Sequence, residues 1–131
     1  MISPYASQVR LIRRLLMKRA STVEVASVDA FQGREKDVVF FSCVRANQSG
    51  NVGFLTDWRR LNVALTRAKK AVLVFGDAHT LFTEATIWRP WLQWAADAGC
   101  LNVSRASTAV SECGSRPVAF VSTRDIGEKW G

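Results

Sequence analysis

Histidine is nearly absent from these 131 residues and cysteine is scarce: His79 stands alone, and Cys43, Cys100 and Cys113 include no Cys-x-x-Cys pair. A zinc site needs several such ligands at short spacings, and a Ser-His-Asp triad would have to be assembled around His79, in a stretch that reads as a loop without a partner pattern. Neither is expected. An odd number of unpaired cysteines also argues against a disulfide scaffold and for a reducing compartment. Long apolar runs are missing too. The longest, Val38 to Phe41 and Ala71 to Phe75, fall far short of the ~20 residues that cross a bilayer, and the first residues lack the apolar core expected of a secretion signal. The expectation is an intracellular chain, in cytoplasm or nucleus, with no membrane partner. Acidic residues are in deficit, 11 against 18 Lys and Arg, and the resulting net charge of +7 favours polyanionic partners such as nucleic acid.

What is present suits one compact domain or part of one, since 48% hydrophobic content is enough for a core at this length. Pro4 biases Ser3 toward extended geometry, and Val9, Ile12, Leu15 and Leu16 then follow helical spacing, predicting a helix over 6–19 with Arg10, Arg13, Arg14, Lys18 and Arg19 on its solvated side. Val23 to Val28 reads as a short strand. Asp37 to Val44 is apolar and β-prone, as a parallel strand covered on both faces should be. Arg45 to Gly53 is polar and reads as a mobile surface loop.

Asp57 is placed to cap a helix carrying Leu61, Ala64, Leu65 and Ala68, and Ala71 to Phe75 supplies the next buried strand. Strand, helix and strand again point to a parallel α/β sheet. Ile87, Trp91, Trp94, Ala95 and Ala98 predict a further helix ended by Gly99; its tryptophans read as core rather than as base-stacking groups. Residues 101–131 lose this pattern, with a hint of strand at Val118 to Val121. They are expected to form a weakly structured tail to a domain spanning 1–100.

Two blocks carry the chemistry. Ser27 to Asp37 reads Ser-Val-Asp-Ala-Phe-Gln-Gly-Arg-Glu-Lys-Asp, and Arg59 to Lys69 reads Arg-Arg-Leu-Asn-Val-Ala-Leu-Thr-Arg-Ala-Lys. Each sets charged and amide groups where a strand or helix meets a loop, the usual ligand-binding position in α/β proteins. A guanidinium such as that of Arg67 suits phosphate oxygens, and Gly33-Arg34-Glu35 offers a tight turn followed by a carboxylate, for a ribose hydroxyl, an attacking water or a metal-bound phosphate. Taken singly, Arg67 is more often a structural ion pair or a free surface arginine, and a lone Gly-x-Glu is a weak signal.

In this order, the two blocks resemble the last two signature motifs of superfamily 1 helicases, most closely the subgroup of the nonsense-mediated decay helicase. Ile2-Ser3-Pro4-Tyr5-Ala6-Ser7-Gln8 resembles that family's Thr-Pro-Tyr segment, with Ser3 for threonine. The resemblance covers residues 1–100 and implies a three-layer α/β fold with a parallel sheet, most of the second, C-terminal RecA-like domain of a P-loop NTPase. It implies that Arg67 is an arginine finger and that Glu35 faces the nucleotide, with Gly33 and Gln32 beside them. It assigns contacts with single-stranded RNA or DNA to Ser27, Asp29 and Pro4; Asn62 and Thr66 read simply as residues that fasten the helix to the sheet. Movement in that subgroup generally runs 5′ to 3′.

The sequence contains no Gly-x-x-x-x-Gly-Lys-Ser/Thr loop and no strand ending in paired acidic residues. ATP with Mg2+ would therefore be held mainly by a first RecA-like domain in cis, and the chain, a truncated piece or a relic, is expected to be inactive alone. The alternative is a non-catalytic module that holds nucleic acid or a protein partner through the same fold and charge.

Overall fold

The structure is a computed structural model, and it describes residues 1–20, 22–105 and 117–120. Its strands are β1 (Ile2–Ser3), β2 (Ala26–Ser27), β3 (Lys36–Ser42), β4 (Ala68–Asp77), β5 (Asn102–Arg105) and β6 (Pro117–Phe120), and its helices are α1 (Ala6–Leu16), α2 (Trp58–Leu65), α3 (Ala78–Phe82) and α4 (Trp88–Asp97). They form one sheet of order β2-β1-β3-β4-β6-β5. The first four strands are mutually parallel, whereas β6 pairs antiparallel with β4 and with β5. The expected parallel α/β sheet is present, extended at one edge by this antiparallel pair. The rest of the expected tail, 106–116 and 121–131, lies outside the described residues.

Alternation along the strands sorts the core into two sides. Ile2, Ala26, Val39, Phe41, Cys43, Val72 and Val74 are buried with Leu61 and Ala64 of α2 and Trp88, Trp91, Leu92 and Ala95 of α4. Met1 and Val25, one residue away and so on the other side of the sheet, pack instead with Val9, Ile12 and Leu16 of α1. Helices therefore lie on both faces, giving three layers. Trp88 and Trp91 are core residues, 1% and 3% exposed, as their spacing predicts.

Several boundaries differ from expectation, each for a local reason. Helix α1 stops at Leu16 because the Arg19 and Ala20 N–H groups both bond the Leu16 carbonyl and turn the chain back. Leu15 accordingly faces solvent, while Arg13 donates Nε to the Val25 carbonyl at 2.8 Å and so ties α1 to the chain entering β2. Strand β2 is two residues long because its partner β1 offers only Ile2 and Ser3. Strand β3 is covered on one face alone: Val38 and Phe40 remain 43% and 40% exposed, and Phe40 stacks on Phe75 of β4 at 5.9 Å.

The polar segment 45–53 is tied together rather than open. Asn47 Oδ1 accepts from Asn51 N and Ser49 Oγ, and Thr80 Oγ1 both accepts from Asn47 N and donates to its carbonyl. Thr80 belongs to α3, a helix the sequence pattern does not announce, and His79 lies in it rather than in a loop.

Helix α4 has its own anchor. Glu84 accepts from the N–H groups of Thr86, Ile87 and Trp88 at 2.8–2.9 Å. Burial alone would raise the Glu84 carboxyl, but these three backbone donors outweigh it and hold the group below the usual glutamate range. The sign follows from linkage: a lowered folded-state value adds stability above the ordinary glutamate range and loses it as pH falls through the lowered value. Glu84→Ala should cost about 1 kcal/mol at neutral pH, the usual cost of losing such a cap, and the deficit should shrink toward acid. Urea unfolding of both proteins at two pH values checks both statements.

Candidate functional site

The two charged blocks meet at the end of the sheet where β3 and β4 begin. Lys36 N–H donates to the Arg67 carbonyl at 3.0 Å, and Lys36 pairs with Ala68 in register. Glu35 and Arg67, 32 positions apart in sequence, are thereby brought onto one rim, on adjacent parallel strands. Glu35 is exposed and pairs loosely with Lys69 at 3.8 Å. Arg67 is half-buried: Nη2 donates to Thr66 Oγ1 at 3.2 Å, while Nε is buried and has no hydrogen-bond acceptor among the described residues. A buried guanidinium donor left unpaired is costly, and Trp91 Nε1 in the core is likewise without an acceptor among the described residues.

Each side chain is aimed by local structure. Asp57 caps α2 by accepting from Arg59 N and Arg60 N, so the helix runs down the sheet and delivers Arg67 just before β4. Thr66 Oγ1 donates to the Asn62 carbonyl at 2.6 Å; the pair closes the end of the helix on itself and does not fasten it to the sheet. Gly33 has φ 77, a left-handed turn that swings the chain into β3, and a Cβ there would meet nothing within 4 Å. Arg34, between Gly33 and Glu35, leaves the rim, forms an ion pair with Glu24 and lies over the Phe31 ring. Burial would raise the Glu24 carboxyl, but hydrogen bonds from Lys36 and Arg34 keep it below the usual range.

The remaining candidates fall elsewhere. Pro4 follows β1, and Ser27 ends β2, paired in register with Ser3. Because Ile2 is level with Phe41, Ser3 lies about six residues up the sheet from Lys36, roughly 20 Å at the rise of a strand. Ser27 Oγ accepts from Ala30 N at 3.3 Å, capping the short turn Asp29–Phe31, and the Asp29 carboxylate pairs with Arg60 Nε at 3.5 Å. Gln32 is grouped with neither Glu35 nor Arg67; it lines a shallow hollow of about 180 Å³ with Asp29, Arg59 and Arg60. Near the Pro4 end, the structure adds residues that sequence spacing does not single out. Tyr5 packs on Phe54 at 5.8 Å, Arg45 donates to Tyr5 Oη at 2.6 Å, and Arg60 lies over the Phe54 ring at 5.2 Å. The available signal was compositional, arginines interleaved with exposed aromatics.

Four parallel strands with helices on both faces, and polar blocks at the strand ends, define an α/β domain of the P-loop NTPase type. Residues 1–79 match the AAA domain family, and the chain belongs to that family. It is 45% identical over 93 residues to the "DNA polymerase alpha-associated DNA helicase A" of Schizosaccharomyces pombe, covering 71% of this chain and 14% of that protein. It is 46% identical over 107 residues to the "ATP-dependent helicase NAM7" of Saccharomyces cerevisiae, covering 76% and 11%. Against the "Regulator of nonsense transcripts 1 homolog" of Drosophila melanogaster it is 37% identical over 138 residues, covering 96% and 11%. These matches support a superfamily 1 helicase domain, and the chain spans a small part of each relative's length. No helix among the described residues is long and apolar enough to cross a membrane.

Gly33→Ala introduces no clash but forces a left-handed alanine. It should cost about 1 kcal/mol of stability, read as a lower urea midpoint with an unchanged slope.

Proposed function

We propose that the chain is the C-terminal motor half of an ATP-dependent superfamily 1 helicase, of the kind represented by the nonsense-mediated decay relatives. In this reading a first RecA-like domain in cis carries the phosphate loop, and the domain described here closes over the nucleotide from the other side. The supporting observation is the common rim of Glu35 and Arg67 together with the buried Nε of Arg67, which has no acceptor among the described residues. A half-buried arginine with an unmet donor, beside an exposed carboxylate, fits a triphosphate supplied by a second surface. ATP with Mg2+, when bound between the domains, supplies the phosphoryl group whose transfer drives movement.

Arg67 then places positive charge where negative charge gathers on the terminal phosphate, an effect worth roughly a thousandfold or more in rate. Glu35 would orient a ribose hydroxyl, the attacking water or the metal-bound phosphate at the same rim, and Gly33 sets the turn that holds Glu35 there. Pro4, Ser27 and Asp29, at the opposite end of the strands, touch a single strand of RNA or DNA through its sugar-phosphate backbone. Gln32 links the two groups, lying between the Asp29 end and Gly33. Nucleotide-driven closure at one rim is thereby felt by the strand held at the other.

The 131 residues alone should turn over no ATP above buffer. Expressed with a phosphate-loop domain, the pair should hydrolyse ATP, and Arg67→Ala should lower that rate by about a thousandfold while sparing strand binding in the nucleotide-free state. Turnover by the isolated chain, or full activity in the Arg67 variant, would refute the assignment.

A further inference from the structure

Resting on the reading above that the Pro4 and Asp29 end of the sheet meets a single strand, we infer that Phe54 is a base-stacking platform within that end. Phe54 is 52% exposed although it sits in the short turn Gly53–Thr56, whose next residue, Leu55, is completely buried. Leu55 therefore anchors the turn, and the neighbouring phenyl ring is presented outward instead of joining the core.

The surroundings of the ring are those of a nucleotide-binding surface. Tyr5, directly after Pro4, approaches it at 5.8 Å with a 59° tilt, and the Arg60 guanidinium lies 5.2 Å from its centroid. Arg45 lies 5.1 Å from the Tyr5 ring and bonds its hydroxyl, which fixes a second guanidinium in the same patch. Arg60 also pairs with Asp29 at 3.5 Å and with Asp57 at 3.8 Å, weak exposed contacts that leave the guanidinium able to move off the ring toward a phosphate. Aromatic faces flanked by guanidinium groups suit single-stranded nucleic acid: rings take bases of any identity, and arginines follow the phosphates. Phe54 thus adds sequence-tolerant contact with bases to a rim whose other groups reach only sugar and phosphate.

Trp58 supplies the contrast. It is more exposed still, 61%, and has Arg59 over its ring, yet it borders the apolar groove between α2 and α4, alongside Leu61, Ile87, Trp88 and Trp91. It is not assigned to the strand.

The test is fluorescence anisotropy with the full 131-residue chain and three labelled probes of equal length: oligo(dT), oligo(U) and an abasic oligonucleotide with the same phosphates. Phe54→Ala should weaken oligo(dT) and oligo(U) about tenfold, within the range of one lost stacking contact, and leave the abasic probe unchanged. Phe54→Trp should restore base-bearing binding, and Trp58→Ala should match the parent on all three. Circular dichroism melts confirm that each variant is folded. Parent-like affinity of Phe54→Ala for the base-bearing probes, or an equal loss on all three, would overturn the platform while leaving the strand-binding rim in place. Failure of the parent chain to bind any probe would overturn the rim and the platform together.

Discussion

One backbone hydrogen bond, from Lys36 N–H to the Arg67 carbonyl, joins two segments that are otherwise unrelated in sequence. It is the first rung between β3 and β4, and everything at that rim is registered from it. Upstream of the rung on one strand stands Glu35, after the left-handed turn at Gly33; at the rung on the other stands Arg67, delivered by α2. Neither side chain needs to reach for the other. The sheet sets their spacing, and the buried Leu61, Ala64, Val39, Phe41, Val72 and Val74 hold the sheet and α2 together behind them.

The same ladder separates the two rims. Parallel strands place all their starts at one end and all their finishes at the other, so residues entering β3 and β4 cannot mix with those leaving β1 and β2. A domain built this way has two separate ends joined by a common core, and the proposed nucleotide and strand contacts fall one at each end. The Phe54, Tyr5, Arg45 and Arg60 cluster lies with Pro4 and Asp29, away from Glu35 and Arg67. Charge is likewise divided: Arg34 and Lys36 are engaged by Glu24, and Lys70 by Asp37 at 2.9 Å, whose carboxyl that bond lowers. The net positive charge is thus not spread evenly as free cations, and among the described residues Arg67 has a buried guanidinium donor without an acceptor.

Strong local signals were legible in the sequence. The apolar run of β3, the Asp57 cap, and the helical spacing of Ile87, Trp91 and Ala95 each carry their own period, and they place α2, α4 and the central strands correctly. Features that depend on distant partners were not legible. The extent of β2 is limited by β1, twenty-odd residues earlier, and the exposure of Val38 and Phe40 depends on α1 packing over β1 and β2 alone. Helix α3 begins directly at the end of β4, where Asp77 accepts from Thr80 N, and five residues leave no room for a hydrophobic period. Of the site, the two motif blocks could be read directly, but the sequence grouped Gln32 with the rim of Arg67, and the fold sets it beside Asp29. The Tyr5, Arg45, Phe54 and Arg60 cluster draws on four separate segments, so no window along the chain contains it.

In the function proposed above, Arg67 and Glu35 form half of a triphosphate site whose other half is on a second domain. A crystal structure of this chain joined to a phosphate-loop domain, bound to ADP, aluminium fluoride and Mg2+, tests this. The Arg67 guanidinium should lie within hydrogen-bond distance of the aluminium fluoride group, with its Nε or Nη atoms supplying the donors, and Glu35 should lie on the same side of the nucleotide. A closed complex in which Arg67 keeps its bond to Thr66 and points away from the nucleotide would contradict it.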